Sequence, residues 1–314
     1  MRYLLLGLGF ISMHVADFLT PENEVVITYR NLNSVKERYL KILDGRVTPV
    51  KLDPLDNFDV LKKYVSWSDV VVNTVGEISG DQNALRRANV DVPSAVTKAI
   101  SETGNRMLIH LSGLPGLVGE GIRPEHPHLF GVTPKTEFEK TKVEGEKVVY
   151  KASTDIGFPS AIIRPTLVYG KYSAHVQYVS IYNLARRGLV PKLGISFNAI
   201  SAQDLSRMVE ILSEMRPQGM YFYATECSKV SITKFFEIMA KALGKRSIKL
   251  PVPTFLAKAF LPSYVKPLLK YTRSSFDCTN SVQLVKNLEF RENEVIENAL
   301  FLDELRRSNL LIPT

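Results

Sequence analysis

The first nineteen residues constrain this chain more than any other stretch. Arg2 to Leu6 is a short apolar run, Gly7-Leu8-Gly9-Phe10-Ile11-Ser12 follows at once, and Ile11 to Leu19 has helical spacing. Glycines let the backbone turn tightly after a strand, and the next helix N-terminus offers free N–H groups and the positive end of its dipole. A strand, a G-x-G turn and a helix in that order form a cradle for a pyrophosphate. Gly7, Gly9, Phe10, Ile11 and Ser12 are therefore candidate cofactor-binding residues. Ser12 takes the place of a third glycine and is small enough for the helix to pack on the strand.

The first half of the chain repeats this rhythm. Glu24 to Tyr29, Thr48 to Leu52, Val70 to Asn73, Arg106 to Leu111 and Ser160 to Arg164 read as strands. Ser34 to Leu43, Phe58 to Val65, Asn83 to Thr103 and Thr136 to Ala152 read as helices between them. Such alternation means parallel pairing through right-handed crossovers, with helices on both faces. The strand runs are almost continuously apolar, as doubly covered parallel strands must be. The predicted fold is α/β, a Rossmann-type doubly wound parallel sheet with a smaller, mostly helical C-terminal lobe. Ala202 to Met215 predicts a helix and Met220 to Ala224 a strand returning to the first sheet. The dinucleotide-binding domain then comprises 1–170 plus about 201–225. Residues 171–200 plus 226–314, broken by Pro251, Pro253, Pro262 and Pro267, form the substrate or partner lobe.

Composition narrows the function. With 45% hydrophobic and 23% charged residues, the chain is neither disordered nor collagen-like. Its net charge of +8 invites a nucleic-acid reading, but the basic residues are spread among 32 acids without a run of five. A basic surface suited to an anionic ligand is expected, and no nucleic acid. Cys227 and Cys278 lie far apart in no metal-like spacing, which argues for a reducing compartment and against a disulfide framework or a zinc site. The N-terminal apolar run lacks a small-residue cleavage site, and no apolar stretch approaches the ~20 residues that span a bilayer. A cytoplasmic location is the expectation. Thr254 to Arg273 combines apolar residues with Lys258, Lys266 and Lys270. Its two prolines favour packing on its own lobe over lying on a membrane surface.

The second strand ends at Tyr29-Arg30. An acid there bonds the ribose 2′-hydroxyl of NAD, whereas an arginine accommodates a 2′-phosphate. Arg30 points to NADP(H) ahead of NAD(H).

Taken together, these residues carry a resemblance to the extended short-chain dehydrogenase/reductase family of NAD-dependent epimerases and dehydratases. Gly9-Phe10-Ile11 matches its G-F-I-G turn, with Leu6 and Ser12 where the outer glycines usually stand. Asp53 resembles the adenine-contacting aspartate, and Asn73-Thr74-Val75-Gly76 the fourth-strand loop beside the cofactor. Ser112 matches the serine after strand five, and Asp204 the acid opening the returning helix. Arg164-Pro165-Thr166-Leu167-Val168-Tyr169-Gly170 matches the R-P-x-x-V-Y-G segment beside the nicotinamide, which implies cofactor contacts from Pro165 and Thr166.

The active-site helix departs from the family pattern Y-x-x-x-K. Lys142 fits the lysine that orients the ribose and lowers the phenol pKa, but the tyrosine position holds Phe138, and no tyrosine lies between Tyr64 and Tyr150. Ser112 and Lys142 are the catalytic positions that remain. The branch resembled is the atypical one containing the NAD(P)H-binding accessory subunit of respiratory complex I, which keeps the dinucleotide and has lost the tyrosine. The resemblance implies an NADP(H)-binding protein whose dinucleotide is structural or regulatory. The alternative is an active oxidoreductase, epimerase or dehydratase on a small anionic, nucleotide-sugar-like substrate with a substitute proton donor, for which His126 and His128 are candidates. Whether the chain is an enzyme stays open at this point. Family members often pair through the helices corresponding to 83–103 and 136–152, so a homodimer is the expectation.

Overall fold

The computed structural model describes residues 1–114, 122–123, 134–252 and 266–313. Seven parallel strands form its central sheet: β1 (Arg2–Leu6), β2 (Glu24–Tyr29), β3 (Thr48–Lys51), β4 (Val70–Asn73), β5 (Met107–Leu111), β7 (Ser160–Pro165) and β11 (Met220–Ala224). Their spatial order is β11-β7-β5-β4-β1-β2-β3. The order reverses at β1, between β4 and β2, and in such sheets ligands bind outside the carboxyl ends of the strands at that reversal. Met220–Ala224 joins the sheet beside β7 in parallel register, Tyr223 opposite Arg164. The strand expected to return does return.

Two apolar layers cover the sheet. One buries Leu5, Ile27, Val72 and Ile109 against α1 (Phe10–Leu19), α8 (Ala202–Met215) and the C-terminal helix α11 (Glu292–Arg307). The other buries Leu4, Leu6, Val71, Leu108 and Ile162 beneath α3 (Phe58–Trp67), α5 (Val92–Thr103) and α6 (Glu137–Ile156). Alternate residues of one strand therefore serve opposite layers, as the two-residue period of a strand requires. Helix α6 begins at a capping box: Thr136 Oγ1 accepts from Glu139 N, while Glu139 accepts from Thr136 N. The long helix expected over 83–103 is α4 (Gln82–Arg86) and α5 joined by a π-helical turn, Arg87–Asp91.

Residues 171–200 hold strands as well as one helix, and one expectation is corrected. They contain α7 (Val176–Ala185), β9 (Leu189–Lys192) and most of β10 (Ser196–Ser201), which pairs with β8 (Leu167–Tyr169). The two cysteines, expected to be free thiols, form a disulfide across 51 residues, with their Cα atoms 5.3 Å apart. Sequence separation concealed that the turn after β11 lies against the turn after β14 (Ser275–Phe276). Among the described residues no helix is long and apolar enough to cross a membrane.

Candidate functional site

At the carboxyl end of β1 the chain turns at Gly7, whose φ of +94° belongs to the region that disfavours side chains. A Cβ there would also lie 3.1 Å from Val75 Cγ2 and 3.2 Å from Thr74 Oγ1, so glycine is required twice over. Gly7 N donates to Thr28 Oγ1 at 3.0 Å, and Thr74 Oγ1 donates to Leu6 O at 2.8 Å. These bonds lock the loop between β2 and β4. Ser12 is fully buried; its hydroxyl accepts from Gly9 N at 2.8 Å and donates to Gly9 O at 3.1 Å. The third-glycine substitute thus clamps the turn. The N–H groups of Phe10 and Ile11 remain in the first turn of α1, where no intrahelical acceptor exists. Nothing stands within 4 Å of a Cβ built on Gly9, so the approach to this turn is open.

Arg30 and Asp53 stand at the carboxyl ends of β2 and β3. Two arginines converge on one carboxylate oxygen: Asp53 Oδ2 lies 3.9 Å from Arg30 Nη1 and 3.0 Å from Arg87 Nη2. Asp53 Oδ1 also accepts from Leu55 N at 3.0 Å. Burial pushes the Asp53 carboxyl up, but the Leu55 N–H and the two guanidinium groups outweigh it and hold the group below its ordinary value. Arg87 carries no sequence signal of its own. It stands at the first residue of the π turn and also donates to Asp56 Oδ1 at 2.8 Å.

A row of polar side chains runs beneath α6 at the carboxyl ends of β4 and β5. Asn73 Nδ2 donates to His110 Nδ1 at 3.1 Å, which places the His110 proton on Nε2. His110 Nε2 and Ser112 Oγ are buried without a hydrogen-bond partner among the described residues. They are two apart on β5, so both face α6. Lys142 is buried above them, and a Cβ on Gly76 would collide with its Nζ. Glycine at 76 is what gives the lysine its seat. Burial lowers the Lys142 ammonium to about 8, against the opposing pull of Glu146 and Glu77. Burial also lowers His110 to about 3, with Lys142 adding to the effect. Asn89 ties this region together: its amide donates to Thr141 Oγ1 and Glu77 O, and its carbonyl accepts from Glu77 N. The sequence reading missed Asn89. The signal was a polar residue on the helical phase of Leu85, Val92 and Val96, all buried.

Lys142 yields a prediction. Its folded pKa lies below the unfolded value of 10.5, so the buried ammonium costs stability below about pH 8, and that cost disappears as pH rises from about 8 to 10.5. Lys142→Met should therefore resist urea better than the parent at pH 6.5, by up to ~3 kcal/mol. The gap should close towards pH 10.5. A pH-independent gap would mean that the ammonium is solvated.

Phe138 sits in the first turn of α6, half-buried, one turn before Lys142. Arg164 does not line the nicotinamide side as expected. It is fully buried, donates to Glu146 from Nε (3.0 Å) and Nη2 (2.7 Å), and stacks 4.5 Å over Tyr221. The other residues of its segment are held by internal hydrogen bonds: Thr166 N and Oγ1 both donate to Ala224 O, and Tyr169 OH donates to Glu226 Oε1 at 2.7 Å. Asp204 accepts from Arg291 and is fully buried, so it anchors the C-terminal segment. His126 and His128 lie outside the described residues, as do Lys258 and most of the basic amphipathic segment.

Comparison with known proteins agrees with this fold. The family model "NAD dependent epimerase/dehydratase family" matches residues 3–194. UDP-glucose 4-epimerase of Vibrio cholerae is 27% identical over 266 residues, covering 80% of this chain and 78% of that protein. The mitochondrial NADH dehydrogenase [ubiquinone] 1 alpha subcomplex subunit 9 of Mus musculus is 23% identical over 258 residues; these cover 79% of this chain but 62% of that longer protein. Among solved structures, UDP-glucuronic acid 4-epimerase from Bacillus cereus with UDP-glucuronic acid and NAD superimposes with a TM-score of 0.77 at 16% identity, covering 97% of this chain and 100% of that one. A tyrosine-to-phenylalanine mutant of that epimerase, complexed with UDP-4-deoxy-4-fluoro-glucuronic acid and NAD, superimposes with a TM-score of 0.76 at 16% identity, covering 97% of this chain and 100% of that one.

Proposed function

Since this chain belongs to the NAD dependent epimerase/dehydratase family, we propose that it binds NADP(H) at the carboxyl edge of its sheet and holds it chiefly as a structural or regulatory ligand. The observation that carries this reading is Phe138, one helical turn before a buried Lys142 on α6. A phenyl ring keeps the shape of the site and removes the group that would exchange a proton. The B. cereus phenylalanine mutant supports the separation of binding from chemistry, because it holds NAD and a nucleotide sugar together.

In this reading Gly7, Gly9, Phe10, Ile11 and Ser12 cradle the pyrophosphate, and Arg30 meets a 2′-phosphate beside Asp53. Asn73, Thr74, Val75, Pro165 and Thr166 border the nicotinamide ribose, Lys142 donates to it, and Ser112 faces the substrate side. Residues 1–170 with about 201–225 bind the cofactor, and the remainder forms the substrate or partner lobe of a cytoplasmic homodimer. The convergence of Arg30 and Arg87 beside Asp53 supports the phosphate preference.

NADPH should accordingly bind more tightly than NADH, and Arg30→Asp should erase or reverse the order. One charge-assisted contact is worth ~1.5–3 kcal/mol, or roughly 10–150-fold in affinity. Titration by energy transfer from protein to nicotinamide measures it; equal affinities in the parent would refute the preference.

One observation favours catalysis instead. Tyr271 OH donates to Glu139 Oε1 at 2.7 Å, bringing a phenol to the same helical turn as Phe138. Under this second reading that hydroxyl substitutes as proton donor for a nucleotide-sugar-like substrate.

A further inference from the structure

The disulfide Cys227–Cys278 sits where it controls a small, separately held piece of the molecule. Residues 271–281 lie across the carboxyl ends of β5 and β11, the edge at which ligands enter such sheets. Tyr271 and Phe276 pack with Tyr223 and Leu114 in a cluster of three buried residues, apart from both main layers. Ser275–Phe276 pairs with Ile122–Arg123 over two residues. Tyr271 OH donates to Glu139, Lys229 Nζ donates to Thr272 O at 2.8 Å, and Ser281 Oγ donates to Tyr223 O. A segment packed outside both main layers can open locally while the sheet stays closed. The disulfide ties this segment to the turn after β11, and its Cys227 end is exposed to solvent while Cys278 is half-buried.

We propose that Cys227–Cys278 is a redox modification site, cleaved by a dithiol reductant, and that its cleavage releases 271–281 from the carboxyl edge of the sheet. A thiolate of the reductant attacks the accessible Cys227 sulfur. The S–S bond breaks, and Cys278 leaves as a thiolate that takes a proton from water. The second thiolate of the reductant then attacks the mixed disulfide and displaces Cys227. The reductant leaves as its own disulfide, and the protein has gained two electrons and two thiols. The chain contains no third cysteine, so the resolving thiol must come from the reductant.

The test uses the full chain and dithiothreitol. Protein prepared without reductant should titrate no thiol, and two after treatment. Hydrogen–deuterium exchange at 271–281 and 225–228 should then accelerate ~30- to ~1,000-fold, the span expected from a cross-link's constraint. Exchange in β1, β4 and β5 should stay unchanged. The Cys227→Ser, Cys278→Ser protein should exchange like the reduced form whether or not dithiothreitol is present. Two free thiols before treatment, unchanged exchange at 271–281, or acceleration throughout the sheet would each overturn the proposal.

Discussion

Saturated with NADPH, the unmodified protein should convert UDP-glucose, UDP-glucuronic acid and simple ketones at or near the background rate. Phe138→Tyr should fold as the parent does and raise any such conversion. Positioned proton transfer is typically worth ~10²–10⁴ in rate, and the rest of the frame is already in place. Lys142 lies one turn on, on the same helix face, and burial holds its ammonium at about 8, below its ordinary value. Tyr271→Phe separates the two functional readings. If the parent is active and this substitution abolishes the activity without loosening NADPH, the Tyr271 phenol is the proton donor and the chain is a working enzyme. If the parent is inactive and Tyr271→Phe changes nothing, the dinucleotide serves binding alone.

The second large effect concerns Arg164 and Glu146, both completely removed from solvent. Removing one partner strands the other as an uncompensated buried charge, at a cost of ~3–5 kcal/mol. Arg164→Met and Glu146→Leu should each lower the urea midpoint strongly, and the Arg164→Met, Glu146→Leu pair should recover much of the loss. An additive double mutant would show that the two side chains do not act as a pair. Because the pair is buried between α6 and β7, the same substitutions should weaken dinucleotide binding only through loss of fold. That distinguishes them from Arg30, whose exposed side chain touches little else.

The reading of the sheet from sequence succeeded because parallel strands covered on both faces leave a strong local trace. Val70–Asn73 and Met107–Leu111 are apolar almost without interruption, and Met220–Ala224 could be assigned to the sheet from its own composition. The phosphate turn was equally plain, since its glycine, helix and strand are contiguous. What escaped were facts that depend on long-range packing. Arg164 belongs to a motif beside the cofactor, yet strand alternation turns its side chain towards Glu146 and Tyr221. Arg87 meets Asp53 across 34 residues, a pairing that no residue pattern announced. The disulfide depends on two turns, far apart in the chain, meeting at one edge. Tyr271 meets Glu139 only after the second lobe folds back over α6.

The place of β11 also bears on how the chain is made. Synthesis delivers β1 to β7 first, and until Met220–Ala224 emerges, β7 stands as an unpaired edge. Arg164 on that edge has Glu146 at hand but lacks the ring of Tyr221 above its guanidinium. An open, apolar strand is a template for pairing with other chains, and nascent proteins that expose one depend on chaperones or on speed. The cofactor domain is therefore not a unit the ribosome completes at residue 170. Its last strand arrives after α7 and α8, so the second lobe begins to form while the first is still unfinished.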